Sequence, residues 1–174
     1  MSEQKKLAPD LRAGAVSVLA AAALAAVDQL CKVWATAALA PDGAAPLLPG
    51  VLELRYVLND GMAFSILSGR RWLLLGGTGA ILAVLLLMLF FRRMPRLERL
   101  TWVLVLGGGA GNFIDRARSG VVVDYLNFQF ISFPVFNFAD ICVTVGVALL
   151  VLLLAADLWQ EHKAAKAAPP HGDA

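Results

Sequence analysis

Long apolar segments, separated by short polar ones, dominate the pattern of the 174-residue chain. A helix that spans a membrane needs about 20 mainly apolar residues, and four segments reach or approach this length. They run from about Ala13 to Leu39, Trp72 to Phe91, Leu100 to Ile114 and Val135 to Leu158. The third segment is short and rich in glycine. The pattern therefore predicts an all-α integral membrane protein with four transmembrane helices.

The two connections at residues 40–71 and 116–134 have a different pattern. The sequence LELRY, at residues 52–56, alternates apolar and polar side chains, which is typical of a strand. The sequence NDG at residues 59–61 is typical of a turn. The sequence GVVVDYLNFQF, at residues 120–130, is rich in β-branched and aromatic residues. We expect these connections to form a small strand-containing cap on one membrane surface.

The distribution of lysine and arginine predicts the orientation, because these residues favour the cytoplasmic side. Nine of them lie on one side: Lys5, Lys6, Arg12, Arg92, Arg93, Arg96, Arg99, Lys163 and Lys166. Five lie on the other side: Arg55, Arg70, Arg71, Arg116 and Arg118. Both termini are therefore expected in the cytoplasm and the cap outside it. We expect a single membrane domain at residues 1–162 and a disordered cytoplasmic tail, rich in alanine and proline, at residues 163–174.

The first segment also has a second interpretation, since a basic start followed by an apolar stretch and small residues resembles a cleavable signal peptide. Its length favours a membrane span, as do Asp28 and Lys32, which interrupt the apolar run. The two interpretations remain alternatives at this point.

The composition of the chain and the positions of its histidines exclude several classes of function. The chain is 59% hydrophobic and only 16% charged, whereas an average soluble domain is about 25% charged. The net charge of +2 is too small to indicate nucleic-acid binding. The histidines, His162 and His171, both lie after the last apolar segment, near the C-terminus, which excludes a zinc site of the HExxH kind. We expect no metal, no cofactor and two buried free thiols at Cys31 and Cys142.

Several polar residues are predicted to lie at one depth of the membrane. With a rise of 1.5 Å per residue, Asp28 and Asn112 lie about 24 and 20 Å from the inner ends of their helices. Asp140 lies about 8 Å below the outer end of the last helix, and Asp124 lies in the connection just before it. A charged group at the centre of a bilayer costs about 2.5–3.5 kcal/mol. The shared depth of these four residues therefore indicates one polar site that faces away from lipid.

Simpler interpretations of the individual residues remain open. Asp28 and Lys32 have the i, i+4 spacing of an ordinary helical ion pair. Asp115, beside Arg116 and near Arg118, could mark a solvated helix end. Asn59 could be only a turn residue. Asp140, inside an apolar run, could have a purely structural role.

Two carboxylates held close together support aspartic peptidase chemistry, in which one is ionised and the other protonated. A serine–histidine pair is excluded by the position of the histidines. A serine–lysine pair remains possible with Lys32 and one of the serines expected outside: Ser65, Ser68, Ser119 or Ser132. The carboxylates could instead serve a small transporter or proton relay, or the chain could be a non-catalytic scaffold.

The chain resembles the bacterial lipoprotein signal peptidases (signal peptidase II) over about residues 12–160. The resemblance rests on DQLCK at 28–32, NDGMAF at 59–64, GGGAGNFIDR at 107–116, VVDY at 122–125 and FNFAD at 136–140. It implies a four-span aspartic peptidase whose catalytic aspartates are Asp124 and Asp140. The supporting polar site that it implies consists of Asp28, Lys32, Asn59, Gly108, Asn112, Arg116 and Asn137.

The resemblance also implies the substrate and the location. Members of this family cleave the signal peptide of a prolipoprotein just before a cysteine that carries diacylglycerol. We therefore expect diacylglyceryl-modified prolipoproteins and membrane lipid as partners, and a monomer in the bacterial inner membrane. The active site is expected near the extracytoplasmic face.

Overall fold

The structure is a computed structural model that describes residues 11–40, 43–61 and 68–167. In these ranges four helices and three strands follow one another: α1 (Leu11–Leu39), β1 (Ala44–Leu48), β2 (Leu52–Asn59), α2 (Arg71–Phe91), α3 (Arg96–Arg118), β3 (Val122–Phe128) and α4 (Phe138–Ala167). A helix lies at each of the four predicted apolar segments. The third helix extends beyond its predicted range at both ends, and the fourth begins at Phe138 rather than Val135.

Three of the described helices, α1, α2 and α4, are long and apolar enough to cross a membrane. Helix α3 is also long, but its first turn contains Glu98 and its last turn contains Arg116 and Arg118. It occupies the middle of the bundle and packs against the other three helices. The structure is therefore mainly helical, with three candidate membrane spans around a more polar central helix.

Glycines allow α1 to approach α3 closely. A Cβ atom at Gly107 would lie 2.8 Å from the Cβ of Leu24 and 2.9 Å from the carbonyl oxygen of Ala21. A Cβ at Gly111 would meet the carboxylate of Asp28. Because Gly107 and Gly111 are one helical turn apart, they form a small-xxx-small face on α3, against which α1 packs closely.

The strands form one antiparallel sheet in the order β1-β2-β3. Strands β2 and β3 lie in the regions that LELRY and GVVVDYLNFQF predicted as strands. Strand β1 was not predicted, because alanines and Pro46 are not typical of strands. It lies at the sheet edge, where a proline without an N–H group is tolerated.

The sheet packs against the C-terminal end of α1. Tyr125 of β3 is buried against Ala35 and Leu39 of α1, and the side chains of Leu54 and Val123 pack around them. A second cluster lies deeper in the bundle and consists of Ala21, Leu85, Leu89, Val103 and Leu106. The helices therefore carry the sheet at one end of the bundle, directly above the start of α4.

Other predictions have mixed outcomes. Both cysteines are free thiols, but only Cys142 is buried and Cys31 is half-buried. Helix α4 continues to Ala167, past the predicted start of the tail at residue 163. The last residues, 168–174, and the possible signal-peptide start at residues 1–10 lie outside the described residues, as do residues 62–64 of NDGMAF and Ser65, one of the serines considered for a serine–lysine pair.

Replacing Gly108 by alanine should destabilise the bundle. A Cβ at this position would meet the carbonyl oxygen of Ala139 and lie 3.0 Å from the side chains of Cys142 and Val143. Helices α3 and α4 would have to separate, at a cost of about 1–3 kcal/mol. The midpoint of thermal unfolding in detergent should therefore fall for Gly108→Ala.

The matched control is Gly76→Ala in α2, where an added Cβ meets nothing within 4 Å. Alanine also favours a helix over glycine. The midpoint of this variant should be unchanged or slightly higher. Equal midpoints for the two variants would contradict the close contact at Gly108.

Candidate active site

The start of helix α4 is held by hydrogen bonds between Asn137 and Asp140. The side-chain oxygen of Asn137 accepts a hydrogen bond from the backbone N–H of Asp140 at 3.0 Å. The carboxylate of Asp140 in turn accepts one from the backbone N–H of Asn137 at 3.1 Å. This reciprocal arrangement is a capping box. The backbone N–H of Ala139 donates to Asp28 of α1 at 3.0 Å, so α1 helps to fix where α4 begins.

Asp124 and Asp140, the two aspartates predicted to be catalytic, are linked by hydrogen bonds through two asparagine amides. The Nδ2 group of Asn137 donates to Oδ1 of Asp124 at 2.6 Å. The Nδ2 group of Asn112 donates to Oδ1 of Asp140 at 2.8 Å. Asn137 also donates to the side-chain oxygen of Asn112 at 3.1 Å. A continuous chain of hydrogen bonds therefore joins the two carboxylates.

Asp124 lies on β3 opposite Val57 of β2. Its side chain is buried, with 2% of the residue surface exposed. Its second oxygen, Oδ2, accepts a hydrogen bond from Nδ2 of Asn59 at 2.9 Å. Burial raises the pKa of Asp124 to about 6, and the negative charge of Asp140 acts in the same direction. The hydrogen bonds from Asn59 and Asn137 oppose this rise in pKa because they stabilise the ionised form.

A buried ion cluster lies behind the asparagines. The ammonium group of Lys32 contacts Oδ2 of Asp28 at 2.8 Å, Oδ2 of Asp115 at 2.7 Å and Oδ1 of Asn112 at 2.7 Å. The i, i+4 ion pair of Asp28 and Lys32 is therefore present, but it is buried, and Lys32 also pairs with Asp115 of α3. Asp115 is only 9% exposed and pairs with Lys32, so the interpretation of a solvated helix end is wrong.

Arg116 connects the helical part of the site to the turn after β2. Its Nη2 group donates to the carbonyl oxygen of Gly61 at 2.5 Å. Its positive charge is attracted by the carboxylates of Asp140, Asp124 and Asp115. In the same turn the backbone N–H of Gly61 donates to the side-chain oxygen of Asn59 at 2.9 Å. Asn59 is therefore both a turn residue, as its sequence context suggested, and a hydrogen-bond donor to Asp124.

Eight of the nine predicted site residues contribute side chains to this connected arrangement: Asp28, Lys32, Asn59, Asn112, Arg116, Asp124, Asn137 and Asp140. Gly108 contributes close packing of α3 against α4 rather than a polar group.

Sequence reasoning left Gln29 and Asp115 out of the predicted site. Gln29 donates to Oδ1 of Asp115 at 2.8 Å and to the carbonyl oxygen of Gly111 at 3.2 Å. An amide within an apolar run, adjacent to Asp28, was the sequence signal that could have identified Gln29.

A cavity of about 410 Å³ opens beside the two carboxylates. One part of its wall is polar and contains Asn59, Asn112, Arg116, Asp124 and Asp140. The rest is mainly apolar and includes Phe128, Phe133, Pro134, Val135, Phe136, Ile141 and Val145. A substrate with both a peptide bond and an apolar portion would match this division.

The geometry does not favour a serine–lysine pair. The ammonium of Lys32 has three N–H groups and already contacts three acceptors, so it is held as a charged donor rather than as a base. Ser68 donates to Asp60 at 2.6 Å, and Ser119 donates to backbone oxygens at its own helix end. The two carboxylates at the cavity wall are the better candidates for acid–base chemistry.

Comparison with known proteins gives the family. A family profile described as signal peptidase (SPase) II matches residues 20–156. The chain belongs to the signal peptidase II family. Lipoprotein signal peptidases of Streptococcus pyogenes serotypes M6 and M5 are each 38% identical to it over 148 residues, which cover 83% of this chain and 93% of theirs.

Solved structures agree with this membership. A bacterial membrane enzyme determined by the in meso method at 2.3 Å resolution has a TM-score of 0.73 and 27% identity, covering 92% of this chain and 94% of that chain. A second, determined at 1.9 Å resolution, has a TM-score of 0.69 and 30% identity, covering 80% and 92%.

Signal peptidase II proteins are membrane aspartic peptidases, and this chain is therefore such an enzyme. Membership decides between the functions that the sequence left open. It favours the peptidase over the transporter, the proton relay and the non-catalytic scaffold.

Removing the amide of Asn59 should raise the pKa of Asp124 above its value of about 6. The amide donates to the carboxylate and stabilises its ionised form, so its loss favours the protonated form. The pKa of Asp124 in Asn59→Ala can be followed by NMR from the chemical shift of the side-chain carboxyl carbon in labelled aspartate. The signal is assigned by comparison with Asp124→Asn.

Asn127→Ala provides a control on the same sheet, because Asn127 donates to Glu53 at 2.7 Å and not to Asp124. The pKa of Asp124 should stay near 6 in this variant. An unchanged or lower pKa in Asn59→Ala would show that the bond from Asn59 does not stabilise the ionised carboxylate.

Proposed function

We propose that Asp124 and Asp140 are the catalytic dyad of this signal peptidase II. The observation that carries this proposal is the connection of two carboxylates by asparagine amides at the wall of one cavity. The carboxylates come from a strand and from the first turn of a helix, so they face the cavity from different elements. This arrangement suits a water molecule and a peptide bond held between them.

The environments of the two carboxylates suggest different roles. Asp124 is buried and its pKa is raised to about 6, which suits a group that holds a proton and donates it. Asp140 lies in the first turn of α4 and accepts the backbone N–H of Asn137. The start of a helix favours a negative charge, so Asp140 suits the role of general base.

In the proposed reaction Asp140 removes a proton from a water molecule, whose oxygen attacks the carbonyl carbon of the scissile bond. Asp124 donates its proton to the carbonyl oxygen, which gives a tetrahedral intermediate. The carbon–nitrogen bond then breaks, and the leaving amine takes the proton from Asp140. As this bond breaks, one hydroxyl group of the intermediate returns its proton to Asp124. The new carboxyl group and the free amine are the products, and the dyad is back in its starting state.

The amides and the guanidinium have supporting roles in this proposal. Asn59, Asn112 and Asn137 orient the carboxylates, since each donates to one of them. Arg116 already binds the carbonyl oxygen of Gly61. Its planar group is suited to hold a substrate carbonyl in the same way.

The substrate that we propose is a diacylglyceryl-modified prolipoprotein, cleaved just before the lipidated cysteine. The relatives from Streptococcus pyogenes are named lipoprotein signal peptidases, and the cavity has a polar and an apolar part. Acyl chains that stay in the bilayer would hold the scissile bond near the membrane surface. This is the depth expected for the dyad.

We further propose that all four helices cross the bacterial inner membrane and that the enzyme acts as a monomer. Helix α3 has 23 residues, so at 1.5 Å per residue it is about 34 Å long, enough to cross a hydrocarbon core of about 30 Å. The distribution of lysine and arginine supports cytoplasmic termini, with the sheet and the dyad near the extracytoplasmic face.

Asp124→Asn and Asp140→Asn should each remove nearly all cleavage, because each variant leaves the water with only half of its acid–base partners. The double variant should be little slower than either single one, since residues that act as a unit are not additive. The measurement is the turnover of a purified diacylglyceryl-modified prolipoprotein, with the products separated by size.

Asp157→Asn is the matched control, because Asp157 lies in the same helix as Asp140 but is exposed. It should cleave at the wild-type rate, and all variants should have the unfolding midpoint of a folded protein. Robust cleavage by either dyad variant would rule out the aspartic mechanism at these two residues.

Cysteine labelling tests the orientation. In a background with Cys31→Ala and Cys142→Ala, cysteines are introduced at Leu47 in β1 and at Arg96 at the start of α3, both of which are exposed. An impermeant thiol reagent should label Leu47→Cys in intact cells and Arg96→Cys only after lysis. The opposite labelling would reverse the orientation and place the dyad near the cytoplasmic face.

A further inference from the structure

We propose that Lys32 is a positioning residue that orients the amide of Asn112 and, through it, the carboxylate of Asp140. The inference rests on the proposed function, in which Asp140 takes a proton from water. Lys32 contacts neither carboxylate of the dyad in the hydrogen bonds described, so it acts one residue away from the reacting groups.

The direction of the Asn112 amide follows from which groups can donate. An ammonium has only donors, and an amide has an oxygen that accepts and an NH₂ group that donates. Lys32 therefore requires the oxygen of Asn112, which lies 2.7 Å from its Nζ. The NH₂ group must then point the other way, and it donates to Oδ1 of Asp140 at 2.8 Å. The reversed amide would set two donors against each other and an oxygen against a carboxylate.

The ammonium itself has a fixed position. Asp28 from its own helix and Asp115 from α3 contact it at 2.8 and 2.7 Å. Gln29 holds the other oxygen of Asp115 at 2.8 Å. With Asn112, three acceptors surround the three N–H groups of a side chain that is buried. Lys32 therefore has one arrangement that satisfies all of its donors.

Asn137 supports the same orientation more weakly. Its NH₂ group also donates to the oxygen of Asn112, but at 3.1 Å and without a charge. A hydrogen bond from a charged donor is stronger and shorter than one from a neutral amide. Lys32 is therefore the group whose loss would free the amide of Asn112 to turn.

A simpler role for Lys32 would be to neutralise the charges of Asp28 and Asp115, and a charge-balanced pair of variants separates the two roles. The variant Asp28→Asn/Lys32→Met removes one anion and one cation together, so the net charge of the cluster stays the same. Asparagine at residue 28 keeps an oxygen that can accept the N–H of Ala139. Methionine at residue 32 has a similar length but donates no hydrogen bond.

The experiment measures kcat and KM for diacylglyceryl-modified prolipoprotein cleavage by the wild-type protein, by Asp28→Asn and by Asp28→Asn/Lys32→Met. The wild type has the same net charge in the cluster as the double variant, and Asp28→Asn has the same residue at position 28. Relative to both, the double variant should have a kcat lower by roughly ten- to hundred-fold, which is the range for losing a hydrogen bond to a charged group. The KM should stay within roughly two-fold, since substrate binding does not use this orientation. A wild-type kcat in the double variant would show that Lys32 only balances charge, and would overturn the inference.

The same comparison in an Asn112→Ala background tests the route through Asn112. Once the amide is absent, removing Lys32 should lower kcat by less than roughly three-fold, because coupled residues are not additive. A full further loss of ten-fold or more would mean that Lys32 acts by another route, which also overturns the inference.

Folding of the variants is checked by their thermal unfolding midpoints. If Asp28→Asn/Lys32→Met does not fold, Asp28→Asn/Lys32→Gln replaces it. The glutamine amide can both donate and accept, so it forms a hydrogen bond with Asn112 in either orientation of that amide. The same fall in kcat is expected, and an unchanged kcat overturns the inference. Failure of the wild-type protein to cleave the substrate would contradict the proposed function instead.

Discussion

The hydrogen bonds of Asn137 are the interaction on which the site depends. Its side-chain oxygen is committed to the N–H of Asp140, so its NH₂ group can only point toward Asp124. A residue whose amide caps a helix thereby also binds the carboxylate of a strand. Asn137 is fully buried, and a buried polar group without a partner costs free energy. The hydrogen bonds of Asn137 therefore hold three things together: the start of α4, the sheet that packs on it and the two carboxylates.

Polar groups inside a membrane protein are tolerated here because they satisfy one another. The buried charges of Asp28 and Asp115 lie against Lys32, and the buried backbone N–H of Ala139 in the first turn of α4 donates to Asp28. Glycines in α3 make this possible, since only a residue without a side chain leaves room for a carboxylate at Gly111. Close helix packing at Gly111 thus leaves room for the ion cluster, whose charges would be costly if they faced lipid.

Apolar length and the signals for strands were sufficient to predict the four helices and two of the three strands. The depth calculation also grouped Asp28, Asn112 and Asp140 correctly, because helix rise is constant. The partners of these residues were not predictable in the same way. Whether Asp115 faces water or Lys32 depends on how α3 rotates against α1, and the contribution of Gln29 depends on the same rotation. Strand β1 was missed because edge pairing, rather than its own residues, makes it a strand.

The connection between β3 and α4 is closed at its base by backbone hydrogen bonds. The N–H groups of Tyr125 and Leu126 donate to the carbonyl oxygen of Phe136 at 3.0 and 2.8 Å, and the N–H of Phe136 donates to Leu126 at 2.9 Å. Beyond these points the chain leaves the sheet and returns, and Phe128, Phe133 and Phe136 line the apolar wall of the cavity. The two carboxylates of the proposed dyad lie on either side of this base and not within the connection itself. Residues of the connection can therefore be exchanged, or its length changed, while Asp124 and Asp140 keep their alignment, so the part of the chain that shapes the cavity is separate from the part that holds the carboxylates.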